Sequence, residues 1–147
     1  MTGVCSGVNV ALVKSAGADA VIDYTQTDYT KGAERYDVIF DAVGKRSYGE
    51  CRDILTPNGV YLTTVPTLGI VFDMLFSMLG NGKKAKFATA GLMQSPATFA
   101  SIKALIEEGA LRAMIDCTYP MAEMAEAHRY VDTGRKKGNV ILTVAEA

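Results

Sequence analysis

Few residues of this chain carry chemistry by type and spacing, and most exclude a reaction class. The three cysteines, Cys5, Cys51 and Cys117, form no CxxC pair, and His128 is the only histidine. Neither provides the ligand spacing of a metal site. Thiols placed so far apart are expected to be buried and unbridged, and His128, in AEAHRY, is expected to be a structural residue facing a neighbouring turn. Arg135 and Lys136, in GRKKGN, are expected to be solvated loop charges. The stretch YDVIFDAVG (36–44) is different. Val38, Ile39 and Phe40, then Ala42 and Val43, are too uniformly apolar for a half-exposed strand, so 38–43 reads as a strand buried on both faces of a parallel sheet. Ligands of open α/β sheets bind outside the carboxyl ends of the strands. Asp41, Val43 and Gly44 therefore stand where a side chain can face a ligand and a glycine lets one approach. The same residues fit a structural role equally well, with Asp41 capping a helix that begins near Ser47 and Gly44 permitting the turn.

The elements that would position them alternate along the chain. Strands are predicted at 2–6, 20–24, 38–43, 59–65, 84–92, 113–119 and 138–144. Between them, helices are predicted at 8–18, 28–36 (short and polar), 46–55, 68–80, 96–109 and 121–134. Gly17 closes the first helix, Pro57, Asn58 and Gly59 stop the third, and Pro96 opens the fifth. Strands separated by helices imply βαβ units and a parallel sheet covered on both faces. The length, 147 residues, fits one domain, and 15 basic against 16 acidic residues suggest neither a nucleic-acid groove nor a membrane surface. The apolar run at 68–80 contains Asp73 and is too short to span a bilayer. No signal peptide is read ahead of Val4, so a cytoplasmic location is expected. Met74, Leu75, Met78 and Leu79 fall at helical spacing, as a core or interface stripe would.

Four stretches together, SAGADAVIDY, YDVIFDAVG, ILTPNGVYLTTVP and AEAHRYVDTGRKKGNVILTV, resemble the medium-chain dehydrogenase/reductase superfamily. The branch is the quinone-oxidoreductase-like, zinc-type alcohol dehydrogenase-like one, C-terminal part only. The resemblance implies a Rossmann-like doubly wound parallel sheet, truncated, with the first strand and glycine-rich turn absent. LGNGKK (79–84) lies too late to be that turn. It further implies that residues 1–147 are a partial dinucleotide-binding domain, with 110–120 a strand packing toward an N-terminal catalytic domain. The missing strand would lie between 1–6 and 37–43, which must then close on each other, borrow a strand or leave apolar surface exposed.

Through the same resemblance, the cofactor would be NADP in preference to NAD, with no zinc in this portion. Related NAD-specific chains place an acid at the end of the second strand, where it bonds the ribose 2′-hydroxyl, and here that position is Cys5 or Ser6. Ser6, Asn9 and Tyr24 would border the ribose. Val43, Gly44 and Lys45 would lie near the adenine half, Thr63, Thr64 and Val65 near the nicotinamide carboxamide, and Asn139 near the pyrophosphate. Asp41 would then orient its loop while Gly44 makes room for the cofactor. No catalytic residue is assigned. The implied function is the cofactor-binding portion of a quinone, enone or aldehyde reductase or an alcohol dehydrogenase-like enzyme. It would be inactive alone and homodimeric through the strand at 84–92. Two alternatives stand beside it: a fragment of a Rossmann-fold S-adenosylmethionine-dependent methyltransferase, and a non-enzymatic dimerising remnant.

Overall fold

The computed structural model describes residues 1–80, 82–89 and 95–144. Contacts group the chain into two units, Met1–Met93 and Gln94–Ala147. In the first unit β1 (Thr2–Cys5) leads through a 3-10 turn into α1 (Val10–Ser15), then β2 (Ala20–Asp23) and β3 (Tyr36–Asp41). A short α2 (Tyr48–Cys51), β4 (Leu55–Thr63), α3 (Leu68–Leu79) and β5 (Lys84–Phe87) follow. Every strand pairing is parallel, because each connection crosses over through a helix or turn rather than a hairpin. The fold is α/β and Rossmann-like.

The strands do not form one continuous sheet. β1 pairs with β2, and β3, β4 and β5 form a second sheet in that order. Among the described residues β1 and β3 are unpaired on their remaining edges, which is the exposed outcome of the three foreseen from sequence. Val38 and Phe40 show the consequence, being 60% and 57% exposed. The opposite face of β3 and β4 carries the core, where Tyr48, Cys51, Leu55, Tyr61, Ile70 and Ala85 pack together.

Several boundaries differ from the sequence reading. The polar helix expected at 28–36 is only a 3-10 turn at Tyr29–Lys31, where Asp28 accepts from the Thr30 N–H. Too few apolar positions are present to hold a longer helix against the sheet. Pro57, Asn58 and Gly59 do not end an element before the strand but lie inside β4. Tyr36 pairs with Leu55 and Val38 with Val60, so the extra residues form a bulge. The strand expected at 84–92 ends at Phe87, and its last residues, 90–92, lie outside the described ones.

In the second unit, α4 (Pro96–Glu107) is opened by Ser95, whose side chain accepts from Thr98 N–H, and by Pro96 in the first turn. β6 (Ile115–Pro120) pairs with β7 (Asn139–Thr143), and α5 (Met124–Asp132) connects them. His128 is exposed on α5, so it does not serve as the packed structural residue expected.

Candidate functional site

The loop leaving β3 is built around one carboxylate. Asp41 accepts hydrogen bonds from the N–H groups of Val43 at 3.0 Å, Gly44 at 2.7 Å and Arg46 at 3.1 Å. The Tyr61 hydroxyl donates to it at 3.1 Å and to the Arg46 carbonyl at 2.6 Å. Burial pushes the Asp41 carboxyl upward, but the backbone donors and Tyr61 outweigh it and hold it below the ordinary carboxylate range. Its four acceptor bonds are spent on the chain itself, so Asp41 is a loop-orienting acid. Arg46 continues the network to Glu50 at 3.0 Å and Asp28 at 3.1 Å. Ser47 and Glu50 then close a capping box on α2.

Gly44 has φ +72°, and a Cβ there would come within 2.8 Å of Val65 Cγ2. The space beside this glycine, assigned to cofactor in the sequence reading, is taken by Val65. Thr63 is buried at the end of β4, where its hydroxyl donates to the Asp41 carbonyl at 2.9 Å and accepts from Val65 N–H at 3.2 Å. Thr64 donates through its side chain to the Ala42 carbonyl at 3.3 Å. Val43 and Lys45 project into solvent. A cleft of about 200 Å³ opens here, lined by Gly44, Tyr48, Tyr61, Thr63, Val65 and Asp73 among others. That is below the roughly 300–1,000 Å³ of a typical ligand pocket, so it can take one ring or a small fragment rather than a dinucleotide. Tyr48, Tyr61 and Asp73 were not singled out from sequence. Tyrosines in strands and short helices, and one acid in an apolar helix, carry no local signal of a cleft.

A second cluster lies at the carboxyl ends of β1 and β2. Ser6 accepts from the Asn9 side-chain N–H at 3.2 Å, and Asn9 Oδ1 is buried without a partner. Tyr24 is exposed, with its N–H on the Cys5 carbonyl at 3.0 Å. Asp23, also missed from sequence, accepts from the Thr25 N–H at 2.9 Å and the Thr25 hydroxyl at 2.7 Å. The pattern Asp-x-Thr after a strand was the available signal, since it favours an Asx turn.

A family model described as zinc-binding dehydrogenase matches residues 16–142. The chain belongs to the zinc-binding dehydrogenase family. It is 28% identical to the trans-enoyl reductase poxH of Penicillium oxalicum, over 99% of this chain and 43% of that protein. It is 29% identical to the mitochondrial NAD(P)H oxidoreductase RTN4IP1 of Mus musculus, over 98% of this chain and 41% of that protein. A quinone oxidoreductase structure from Coxiella burnetii aligns with a TM-score of 0.76 at 23% identity, over 98% of this chain and 44% of that one. The chain thus spans less than half the length of the relatives it matches, and the resemblance to the C-terminal part of the medium-chain superfamily holds.

The family's description names zinc, so the donor set matters. Among the described residues no three His, Cys, Asp or Glu side chains gather as a metal ligand group. The described residues do not fit zinc. The remaining candidate, Asn139, lies in the second unit. It begins β7 with its N–H on the Met114 carbonyl at 2.6 Å. Nearby, Asp116 accepts from Lys137 N–H at 2.9 Å and from the Tyr130 hydroxyl at 2.6 Å, which pushes the Tyr130 phenol up to about 12. Arg135 and Lys136 are exposed.

Proposed function

We propose that this chain is the cofactor-binding portion of a nicotinamide-dependent oxidoreductase acting on a quinone, enone or aldehyde. The family match over residues 16–142 carries the reading, and the preorganised loop after β3 supports it. A bound nicotinamide dinucleotide would supply the hydride. The chain's own contribution is positional. Asp41 fixes the 42–46 loop, and Thr63 locks the end of β4, so exposed groups of Val43, Lys45 and Thr64 are presented from a rigid base. The sequence preference for NADP rests on the lack of an acid at Cys5 and Ser6.

We also propose self-association through β5, whose outer edge is unpaired among the described residues. Such an edge invites pairing with a second copy. Thermal-shift measurements with NADPH, NADH and S-adenosylmethionine test the main reading. Stabilisation by a nicotinamide dinucleotide alone is expected. A shift with S-adenosylmethionine alone would favour a methyltransferase, and no shift with any of them would favour a ligand-free remnant.

A further inference from the structure

The choice between the two dinucleotides depends on what stands at the carboxyl end of β1, and the decisive residue comes from the neighbouring strand. The parallel register places Cys5 beside Asp23. The turn after β1 runs through Ser6 and the 3-10 turn Gly7–Asn9. A Cβ added at Gly7 would come within 2.6 Å of Asp23 Oδ2, so the carboxylate lies directly against this turn. Thr25 holds the other oxygen, Oδ1, through its N–H and hydroxyl. One carboxylate oxygen is therefore fixed by its own turn while the second faces the turn after β1.

The Gly7 N–H faces the carboxylate from this turn as a neutral donor. Among the described residues, no lysine, arginine or histidine is ion-paired with Asp23. Ser6 Oγ and the unpartnered Asn9 Oδ1 add acceptor capacity rather than positive charge. The Thr25 hydroxyl and N–H, with a smaller contribution from the Gly7 N–H, hold the Asp23 carboxyl below its ordinary range against its partial desolvation, so it is charged at neutral pH.

We propose that Asp23 selects the dinucleotide, favouring a free ribose 2′-hydroxyl over a 2′-phosphate. The inference rests on the reading of the Ser6–Asn9 turn as the ribose site. A hydroxyl donates a hydrogen bond to a carboxylate, and charge-assisted bonds of this kind are the stronger ones. A 2′-phosphate has almost no proton to donate near neutral pH and carries close to two negative charges. It would meet Asp23 as a like charge, with no cation among the described residues paired to that carboxylate. Such a role runs against the preference for NADP drawn from Cys5 and Ser6, because an argument confined to β1 does not see an acid delivered by β2.

The test is an NMR titration of the chain with NADH and with NADPH, which reads affinities down to the millimolar range, following the amides of Gly7, Asn9 and Thr25. The wild type should bind NADH more tightly. Asp23→Asn keeps an oxygen for Thr25 but removes the charge. It should raise NADPH affinity about tenfold and weaken NADH a few-fold. The wild-type disadvantage of NADPH should also shrink in high salt, a response that a purely structural Asp23 would not give. Asp23→Ser, which also retains a turn acceptor, provides the comparison if Asp23→Asn fails to fold. A wild type that prefers NADPH, or an NADH/NADPH ratio unmoved in the folded variant, would overturn the role of Asp23 while leaving the cofactor site in place. No response of these amides to either dinucleotide would overturn the ribose-site reading and this proposal with it.

Discussion

Asp41 shows how an acid at a strand end is committed to its own loop by the partners around it. An acid at a strand end next to a glycine can face a ligand, yet here three backbone N–H groups and a tyrosine converge on it. Hydrogen bonds to a charged group contribute about 1.5–3 kcal/mol each. Asp41→Asn, which presents an NH₂ to donors, is expected to cost about 2–3 kcal/mol in urea unfolding. The sign with pH follows from the lowered carboxyl. The stabilisation is fully present above the unfolded value of about 3.9 and is lost as pH falls through the lower folded value. Wild type should therefore lose stability below about pH 4 more steeply than Asp41→Asn; equal slopes would contradict this. Gly44→Ala should cost about 1–2 kcal/mol by combining a left-handed φ with a clash on Val65. Cys51 is fully buried, and burial raises its thiol. It should resist a thiol reagent in the native chain and react only at the rate of unfolding, as a timed labelling experiment would read.

Among the elements, α3 is oriented against the usual rule. Its inward face carries Ile70, Asp73, Met74 and Ser77, all buried or half-buried. Its outward face carries Leu68, Val71, Phe72, Leu75, Phe76 and Leu79 at 58–82% exposure. The polar inward residues have work to do. Ser77 accepts from Ala85 N–H at 3.1 Å, and the Lys84 ammonium donates to the Ser77 carbonyl at 2.7 Å, tying the helix end to β5. At roughly 100 Å² apiece, the outward side chains make a patch near 600 Å² or more, at or beyond the largest on a typical monomer. We expect this face to lie in the interface proposed through β5. Phe72→Glu with Leu75→Glu should then shift the chain toward monomer in light scattering at tens of micromolar, roughly the range of such contacts. A wild type that is strictly monomeric there would count against the proposal. The periodicity of 68–80 made the helix legible, but helical spacing leaves open which face meets the sheet.

On the scale of the molecule, surface left uncovered is the dominant fact. The chain exposes 10827 Å². Even two separate compact bodies of these lengths would expose about 8,700 Å² by mass scaling. The difference, about 2,000 Å², exceeds the roughly 800 Å² one partner gives to a standard interface. The unpaired edges of β1 and β3 and the exposed Val38 and Phe40 belong to it. A glycine-rich turn at a helix N-terminus would supply several N–H bonds to a pyrophosphate, and no GxGxxG turn occurs within these 147 residues. Without two such bonds, affinity should fall by about 3–6 kcal/mol, or two to four powers of ten. The 147-residue chain is therefore expected to bind dinucleotide only at millimolar concentration or weaker, and to show no quinone-dependent NADPH oxidation above a buffer control. Activity of the purified chain would refute this expectation.

What the sequence determined is what local physics governs. Alternating apolar runs and helix signals gave the order of elements, the parallel crossovers and the start of α4 at Pro96, since helix-start signals and periodicity act within a turn or two. The outcomes decided only in the tertiary structure all join residues distant along the chain. β4 runs through Pro57 and Gly59 because its pairing with β3 absorbs a bulge. Val65 fills the space beside Gly44 because β3 and β4 are in register, and Asp23 reaches Gly7 because β1 and β2 are. A parallel register brings together the ends of strands separated by a whole helix, and no pattern within either strand encodes which side chains will meet there.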